Sequence, residues 1–147
     1  MNFNKVISPS NNSDFDEYYY FRWEYLRKDL SQKLGAERDD AENISIHRMI
    51  KNNNEEIIGV GRLHKISSDI YKVRYFAVHK DYRRIGLGMY LMKDLEEIAI
   101  KDKANYIILN ARENALDFYE KLNYKVIKKT NLLLGKIQHY EMKKKII

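Results

Sequence analysis

The residues best placed to do chemistry lie in Arg83-Arg84-Ile85-Gly86-Leu87-Gly88-Met89, where a strand-like run ending in Phe76-Ala77-Val78 gives way to a basic, glycine-bearing turn and then to a helical pattern. Glycine has no Cβ to bar the close approach of backbone to an anionic group. A helix opening at about Gly86 aims its unpaired N–H groups, and the positive end of its dipole, at the same anion. Arg83 and Arg84 add charge at the mouth. The stretch therefore predicts a phosphate or pyrophosphate cradle; its bland alternative is an ordinary helix start with a glycine turn. A nucleotide triphosphate loop requires a lysine and a hydroxyl residue after the last glycine, where Met89 and Tyr90 stand. A dinucleotide fingerprint requires a small residue where Leu91 stands.

A second constellation runs from Asn110 to Tyr124. Asn114 reads as a helix N-cap, strengthened by Asp117 three residues on. Tyr119 falls on the apolar face of that helix with Ala115, Phe118 and Leu122. Asn123 stands where the helix must end, and asparagine tolerates the left-handed conformation used there. The four histidines, His47, His64, His79 and His139, show no metal-ligand spacing. The chain has no cysteine, which excludes disulfides, thiolate metal sites and a cysteine nucleophile and is compatible with a reducing cytoplasm.

The elements that must position these groups follow from periodicity. A short strand is expected around Phe3 to Ile7, and a helix from a cap at Ser13, with Phe15, Tyr19, Trp23, Leu26 and Leu30 on one face, fading near Gly35. Ile44 to Ile50 and Ile57 to His64 form a hairpin, with Gly59 and Gly61 marking a bulge or a close backbone approach. Tyr71 to Val78 alternates again, with Tyr71, Val73, Tyr75 and Ala77 on one face. The helix after the turn puts Leu87, Tyr90, Leu91, Leu95 and Ile98 inward and Lys93, Glu96, Glu97 and Lys101 outward. Tyr106 to Leu109 reads as a strand buried on both faces, reached by a right-handed crossover. Tyr124 to Ile127 and Ile137 to Met142 close the chain around a turn at Gly135. Leu132-Leu133-Leu134 is apolar for a loop, and is expected to form a lip of a binding pocket or a homodimer contact.

A length of 147 residues fits one domain, 1–147. With 44% hydrophobic and 12% aromatic residues the chain is globular. No apolar run reaches membrane-spanning length and the N-terminus lacks a signal-peptide core, so a soluble, cytoplasmic protein is expected. The net charge of +6 suits either nucleic acid or a polyanionic small molecule. The basic residues are scattered, without a long stripe interleaved with aromatics, which argues against nucleic acid.

The glycine turn resembles the acyl-coenzyme A signature of the GNAT acetyltransferase superfamily: a strand ending in Ala-Val, then a basic residue, two arbitrary residues, glycine, one residue, glycine. Arg83-Arg84-Ile85-Gly86-Leu87-Gly88 fits at every specified position. The Asn110 to Tyr124 segment is similar to the family's other recurring piece, with Asn123 and Tyr124 replacing its glycine and phenylalanine. The resemblance implies an α/β fold of six or seven mixed strands, an antiparallel meander followed by a βαβ unit, with helices on both faces. It implies acetyl-coenzyme A as acyl donor, no metal, and direct transfer to a primary amine of a small molecule, peptide or protein. Contacts to the donor would come from Phe76, Ala77, Val78, Arg83, Arg84, Ile85, Gly86, Leu87, Gly88, Met89, Asn110, Asn114 and Tyr119. By the same resemblance the Val78 N–H polarises the thioester carbonyl and Tyr119 protonates the departing thiolate. Arg22, Trp23 and Arg27, followed by Asp39-Asp40 and His47, are similar to a bacterial subgroup in which they wall the acceptor side.

Many family members carry a glutamate on the strand before the motif as base, whereas Tyr71 to Val78 holds no acidic residue. His64, Glu113 and His139 are the candidates, alongside a base acting through water. Two rival readings are a coenzyme A-binding regulatory module without catalysis and a basic nucleic-acid-binding domain.

Overall fold

The computed structural model describes residues 3–147. Seven strands lie in one sheet in the order β1-β2-β3-β4-β5-β7-β6 among the described residues. They are β1 (Phe3–Ile7), β2 (Ile46–Asn52), β3 (Ile57–Lys65), β4 (Ile70–Val78), β5 (Tyr106–Arg112), β6 (Lys125–Leu133) and β7 (Ile137–Lys145). Three helices accompany them, α1 (Asn12–Leu26), α2 (Leu87–Lys101) and α3 (Leu116–Lys121). The mixed α/β architecture is the one expected. The chain divides into two compact units, Met1–His64 with Tyr75–Leu95, and Lys65–Arg74 with Glu96–Ile147.

In the first unit β1, β2 and β3 pair antiparallel. Successive side chains of a strand point to opposite faces, and both faces of the β2–β3 hairpin are used. Met49, Ile57 and Val60 pack with Tyr18 and Phe21 of α1, while Ile50 and Ile58 pack with Leu87 and Leu91 of α2. The glycines of β3 allow the second contact. A Cβ built on Gly61 would fall 2.9 Å from Leu95 Cδ1 and 3.3 Å from Phe76 Cδ2. The register also slips between Ile50 and Lys51. Both alternatives raised for these glycines are therefore present.

Helix α1 starts earlier than the capping pattern at Ser13 suggests. Asn11 is the cap, its side chain accepting from the Asp14 N–H at 2.8 Å, because Asp14 is engaged in turn by Ser10. The buried face also differs from the expected stripe. Tyr18, Phe21 and Arg22 are buried, whereas Trp23 is half-buried and Leu30 lies beyond the helix in a 3-10 turn, Lys28–Leu30.

In the second unit Ile70–Val73 of β4 run parallel to Tyr106–Leu109 of β5, and β5, β7 and β6 pair antiparallel. β5 buries Ile107, Leu109 and Ala111 but leaves Asn110 exposed, so it is covered on both faces only in part. Two assignments on α2 are reversed: Tyr90 is exposed, and Glu96 is buried. Glu96 is tolerated there because its carboxylate accepts from Tyr124 Oη at 2.7 Å and from Lys144 Nζ at 3.0 Å. β6 is longer than expected, absorbing Leu132 and Leu133, and its Val126, Ile127 and Leu132 are exposed. None of the described helices is long and apolar enough to cross a membrane.

Candidate active site

The first unit carries the glycine turn. After Val78 the His79 N–H donates to the Ile58 carbonyl at 2.8 Å, and a 3-10 turn, Lys80–Tyr82, lifts the chain off the strand. The His79 ring lies 5.6 Å from that of Tyr25 and 5.5 Å from that of Tyr82, whose hydroxyl accepts from Asn52 Nδ2 at 3.1 Å. These anchors fix the start of the turn. Arg84 and Gly86 then take left-handed conformations, with φ of 64° and 88°, and α2 begins at Leu87. Leu87 is fully buried and pins the helix start, while Arg83, Arg84, Ile85, Gly86 and Met89 are exposed.

The arrangement suits an anion. The N–H groups of the first turn of α2 have no intrahelical acceptors, and no acidic side chain sits in that turn to compete. A Cβ on Gly86 would meet nothing within 4 Å, so the backbone faces open space. Arg83 Nε also donates to the Val78 carbonyl at 3.3 Å, tying the turn to the strand end. Phe76 and Val78 pack toward α2, and Ala77 toward α1.

Around α1 the same unit holds a buried ionic cluster. Arg22 Nη1 donates to both Glu42 carboxylate oxygens at 3.0 and 2.9 Å and to the Glu37 carbonyl, and Nη2 donates to Tyr18 Oη. Arg62 Nη1 reaches Asp39 at 2.6 Å and Glu42 at 2.8 Å. Burial by itself would weaken the Arg62 charge, but Asp39 and Glu42 more than offset it and raise its pKa. His47 Nε2 faces the Glu42 carbonyl at 2.8 Å and must carry the proton, which leaves Nδ1 to accept from Tyr18 Oη at 2.9 Å. Burial holds His47 below its ordinary value, and burial pushes Tyr18 up to about 12. Of the three residues expected at the acceptor side, Arg22 lies inside this cluster. Trp23 Nε1 donates to the Gln32 carbonyl at 2.9 Å, and Arg27 Nε to the Ala36 carbonyl at 3.2 Å, so both brace the segment after α1. His64 Nδ1 lies 3.5 Å from Arg62 Nη2.

The second unit carries the other group. Asn114 sits in a 3-10 turn, Glu113–Ala115, exposed, while Ala115 precedes α3 and no side chain caps it. The capping role expected of Asn114 is therefore absent, because the chain enters α3 through a tight turn that leaves no extended cap residue. Tyr119 is buried on α3, its ring centroid 4.9 Å from that of Phe118 and 5.9 Å from that of Tyr124. Burial pushes its phenol well above the usual range. The expected left-handed end of α3 is present. Asn123 has φ of 73°, and the N–H groups of Asn123 and Tyr124 return to the Glu120 and Tyr119 carbonyls at 3.0 Å. Asn110 is exposed on β5, with Thr130 Oγ1 3.5 Å from its side-chain oxygen. Glu113 accepts from Tyr140 Oη at 3.4 Å, and His139 Nδ1 lies 3.1 Å from the Ile137 carbonyl. Among the described residues no group of three or more His, Cys, Asp or Glu side chains could hold a metal ion.

Comparison with known proteins agrees with the geometry. The family model described as Acetyltransferase (GNAT) domain matches residues 24–146. The Bacillus subtilis (strain 168) protein named Uncharacterized N-acetyltransferase YjcF is 31% identical over 140 residues, covering 95% of this chain and 99% of that protein. A GNAT-family acetyltransferase from Staphylococcus aureus Mu50 superposes with a TM-score of 0.81 at 18% identity, over 99% of both chains. An aminoglycoside 6'-N-acetyltransferase solved with coenzyme A gives 0.74 at 17% identity, over 100% of this chain and 98% of that one. The chain belongs to the GNAT acetyltransferase family and is an acyltransferase that uses acetyl-coenzyme A.

Proposed function

We propose that the chain works as a single acetyltransferase domain that moves the acetyl group of acetyl-coenzyme A to a primary amine by direct attack. The observation that carries this reading is the turn of Arg84 and Gly86, left-handed at both residues and open to solvent, set against the unpaired N–H groups of a fifteen-residue helix. Backbone N–H groups from Gly86 to Met89, with Arg83 and Arg84, bind the pyrophosphate of the donor. Phe76 and Ala77 flank its pantetheine arm on the strand side, and Asn110 and Asn114 supply polar contacts to the donor. The exposure of Asn114, and its lack of a capping bond, support that role.

The reaction needs four things: orientation, a donor for the oxyanion, an acceptor for the amine proton and a proton for sulfur. The amine nitrogen bonds to the acetyl carbonyl carbon, the carbonyl oxygen becomes an oxyanion, and the Val78 N–H donates to it. When the C–S bond breaks, the Tyr119 hydroxyl gives its proton to the thiolate. Burial keeps that phenol protonated across the working pH range, as an acid must be at the moment of transfer. The amine proton leaves through His64, Glu113 or His139, directly or by way of water.

The test is thiol release from acetyl-coenzyme A, followed with a thiol reagent, against a diamine, an amino sugar and a peptide with a free amino terminus. The chain has no cysteine, so the protein contributes no background. Turnover with one of these amines, falling on the order of 100-fold or more in Tyr119→Phe with unchanged coenzyme A binding, is the expected result. Undiminished turnover in Tyr119→Phe would remove Tyr119 from the acid role.

A further inference from the structure

Two buried guanidinium nitrogens of the first unit lack an acceptor, the Nε of Arg22 and the Nε of Arg62. Both side chains are fully buried, and their terminal nitrogens are engaged by Glu42, Asp39, the Glu37 carbonyl and Tyr18. A buried donor left without a partner is costly unless some other electron-rich group faces it. The ring of Tyr75 is an electron-rich group lying against both guanidiniums. Its centroid lies 4.3 Å from the Arg22 Cζ, 5.0 Å from that of Arg62 and 5.5 Å from that of Arg27. Tyr75 also has φ of 54°, a left-handed conformation in the middle of a strand that residues bearing a Cβ adopt only at a cost. It stands directly before Phe76-Ala77-Val78.

We propose that Tyr75 is a positioning residue for acetyl transfer: Arg22 and Arg62 hold its ring by cation–π contact, and the held ring keeps the left-handed residue that orients the amides from Phe76 to Val78. The left-handed residue lies within the strand, and beyond it Ala77 faces the α1 cluster while Phe76 and Val78 face the α2 cluster. Relaxation of residue 75 to an extended backbone would turn those three peptide planes and move the Val78 N–H. Glu42 bonds both guanidiniums and Asp39 bonds that of Arg62, which fixes them out of water, so the ionic cluster serves the strand it surrounds. The consequence for catalysis rests on the reading of Val78 as oxyanion donor; the clamp on Tyr75 does not.

The test uses the full isotope-labelled chain and three variants, Tyr75→Leu, Tyr75→Gly and Tyr75→Phe. One readout is hydrogen exchange of the amides from Phe76 to His79, set against those of Leu91 and Leu95 in α2. The other is the amide shift at Val78 that acetyl-coenzyme A induces and coenzyme A does not. Tyr75→Leu is expected to speed exchange from Phe76 to His79 at least about tenfold more than at Leu91 and Leu95. It loses the acetyl-specific shift, while its affinity for coenzyme A stays within about threefold of the wild type because the glycine turn is intact. Tyr75→Phe keeps the ring and behaves as the wild type. Tyr75→Gly accepts the left-handed backbone without a ring and matches Tyr75→Leu, so the question is still decided if the leucine variant fails to fold. Wild-type exchange from Phe76 to His79 in Tyr75→Leu or Tyr75→Gly would overturn the clamp. A wild type with no acetyl-specific shift at Val78 would overturn the oxyanion reading, and the exchange rates would still judge the clamp.

Discussion

Glu42→Gln is the sharpest perturbation of the buried ionic cluster. The Glu42 carboxylate accepts from Arg22 through both oxygens, and its Oε2 also accepts from Arg62 at 2.8 Å and from the Asp39 N–H at 3.0 Å. Both arginines are fully buried and the Glu42 side chain is only 10% exposed. Glutamine matches the shape, and its oxygen can replace Oε2. Its NH2 must then face the Arg22 Nη1 donor at the Oε1 position, 3.0 Å away, and one of two buried positive charges loses its partner. Breaking a buried pair from one side costs roughly 3–5 kcal/mol, a large share of the roughly 5–15 kcal/mol that holds a domain together. At about 2–4 °C per kcal/mol for a chain of this size, the melting temperature should fall by roughly 6–20 °C. Asp40→Asn, an exposed acid in the same segment, is the control and should change stability by less than about 0.5 kcal/mol. Thermal and urea unfolding followed by circular dichroism measure both. A Glu42→Gln melting temperature within about 2 °C of the wild type would mean that the two guanidiniums do not depend on this carboxylate.

Three further outcomes concern His47, Gly61 and the candidate bases. Because burial holds His47 below its ordinary value near 6.5, its share of stability is complete above that pH and is lost as pH falls toward the folded-state value. His47→Gln, which can still bridge Tyr18 and the Glu42 carbonyl, should flatten the acid side of a stability–pH curve; an unchanged slope would exonerate His47. Gly61→Ala drives a methyl to within 2.9 Å of Leu95 Cδ1, and should destabilise the fold by about 1–2 kcal/mol in urea titrations rather than stabilise it as an unhindered Gly→Ala change would. Among His64→Gln, Glu113→Gln and His139→Gln, one variant should lose the acid limb of the kcat/KM profile and on the order of 100-fold in rate. Three intact profiles would exclude all of these groups as the base.

How much of this the sequence discloses depends on how local each cause is. The glycine turn was legible because its requirements lie within six residues: a left-handed glycine, a helix start and flanking arginines. The end of α3 at Asn123 was legible for the same reason. The burial of Tyr18 and Arg22 was not, because a periodicity count treats arginine as polar. What makes Arg22 a core residue is Glu42, 20 positions away, together with Arg62 of β3, which shares this carboxylate. The helical pattern turns Glu96 outward on the same logic, although Tyr124 and Lys144 lie ready to bond it. The helix start moved from Ser13 to Asn11 through competition among neighbouring caps, in which Ser10 holds Asp14. The left-handed backbone of Tyr75 has no local signal at all, since its sequence context is an unbroken strand pattern and its support comes from α1 and β3.

Calorimetric titration with acetyl-coenzyme A, on the wild type and on Gly86→Asp, measures whether the glycine turn holds the pyrophosphate. The space beyond Gly86 is open, so an aspartate brings no clash; it adds a left-handed strain and a carboxylate facing the pyrophosphate. A unit charge placed about 5 Å from another at an effective dielectric of about 20 is worth roughly 3 kcal/mol, and after screening by salt an affinity loss of at least about 30-fold is expected. Saturable binding at one site in the wild type, and that loss in the variant, are expected. Gly86→Asp binding within about threefold of the wild type, or a wild type that does not bind, would contradict this.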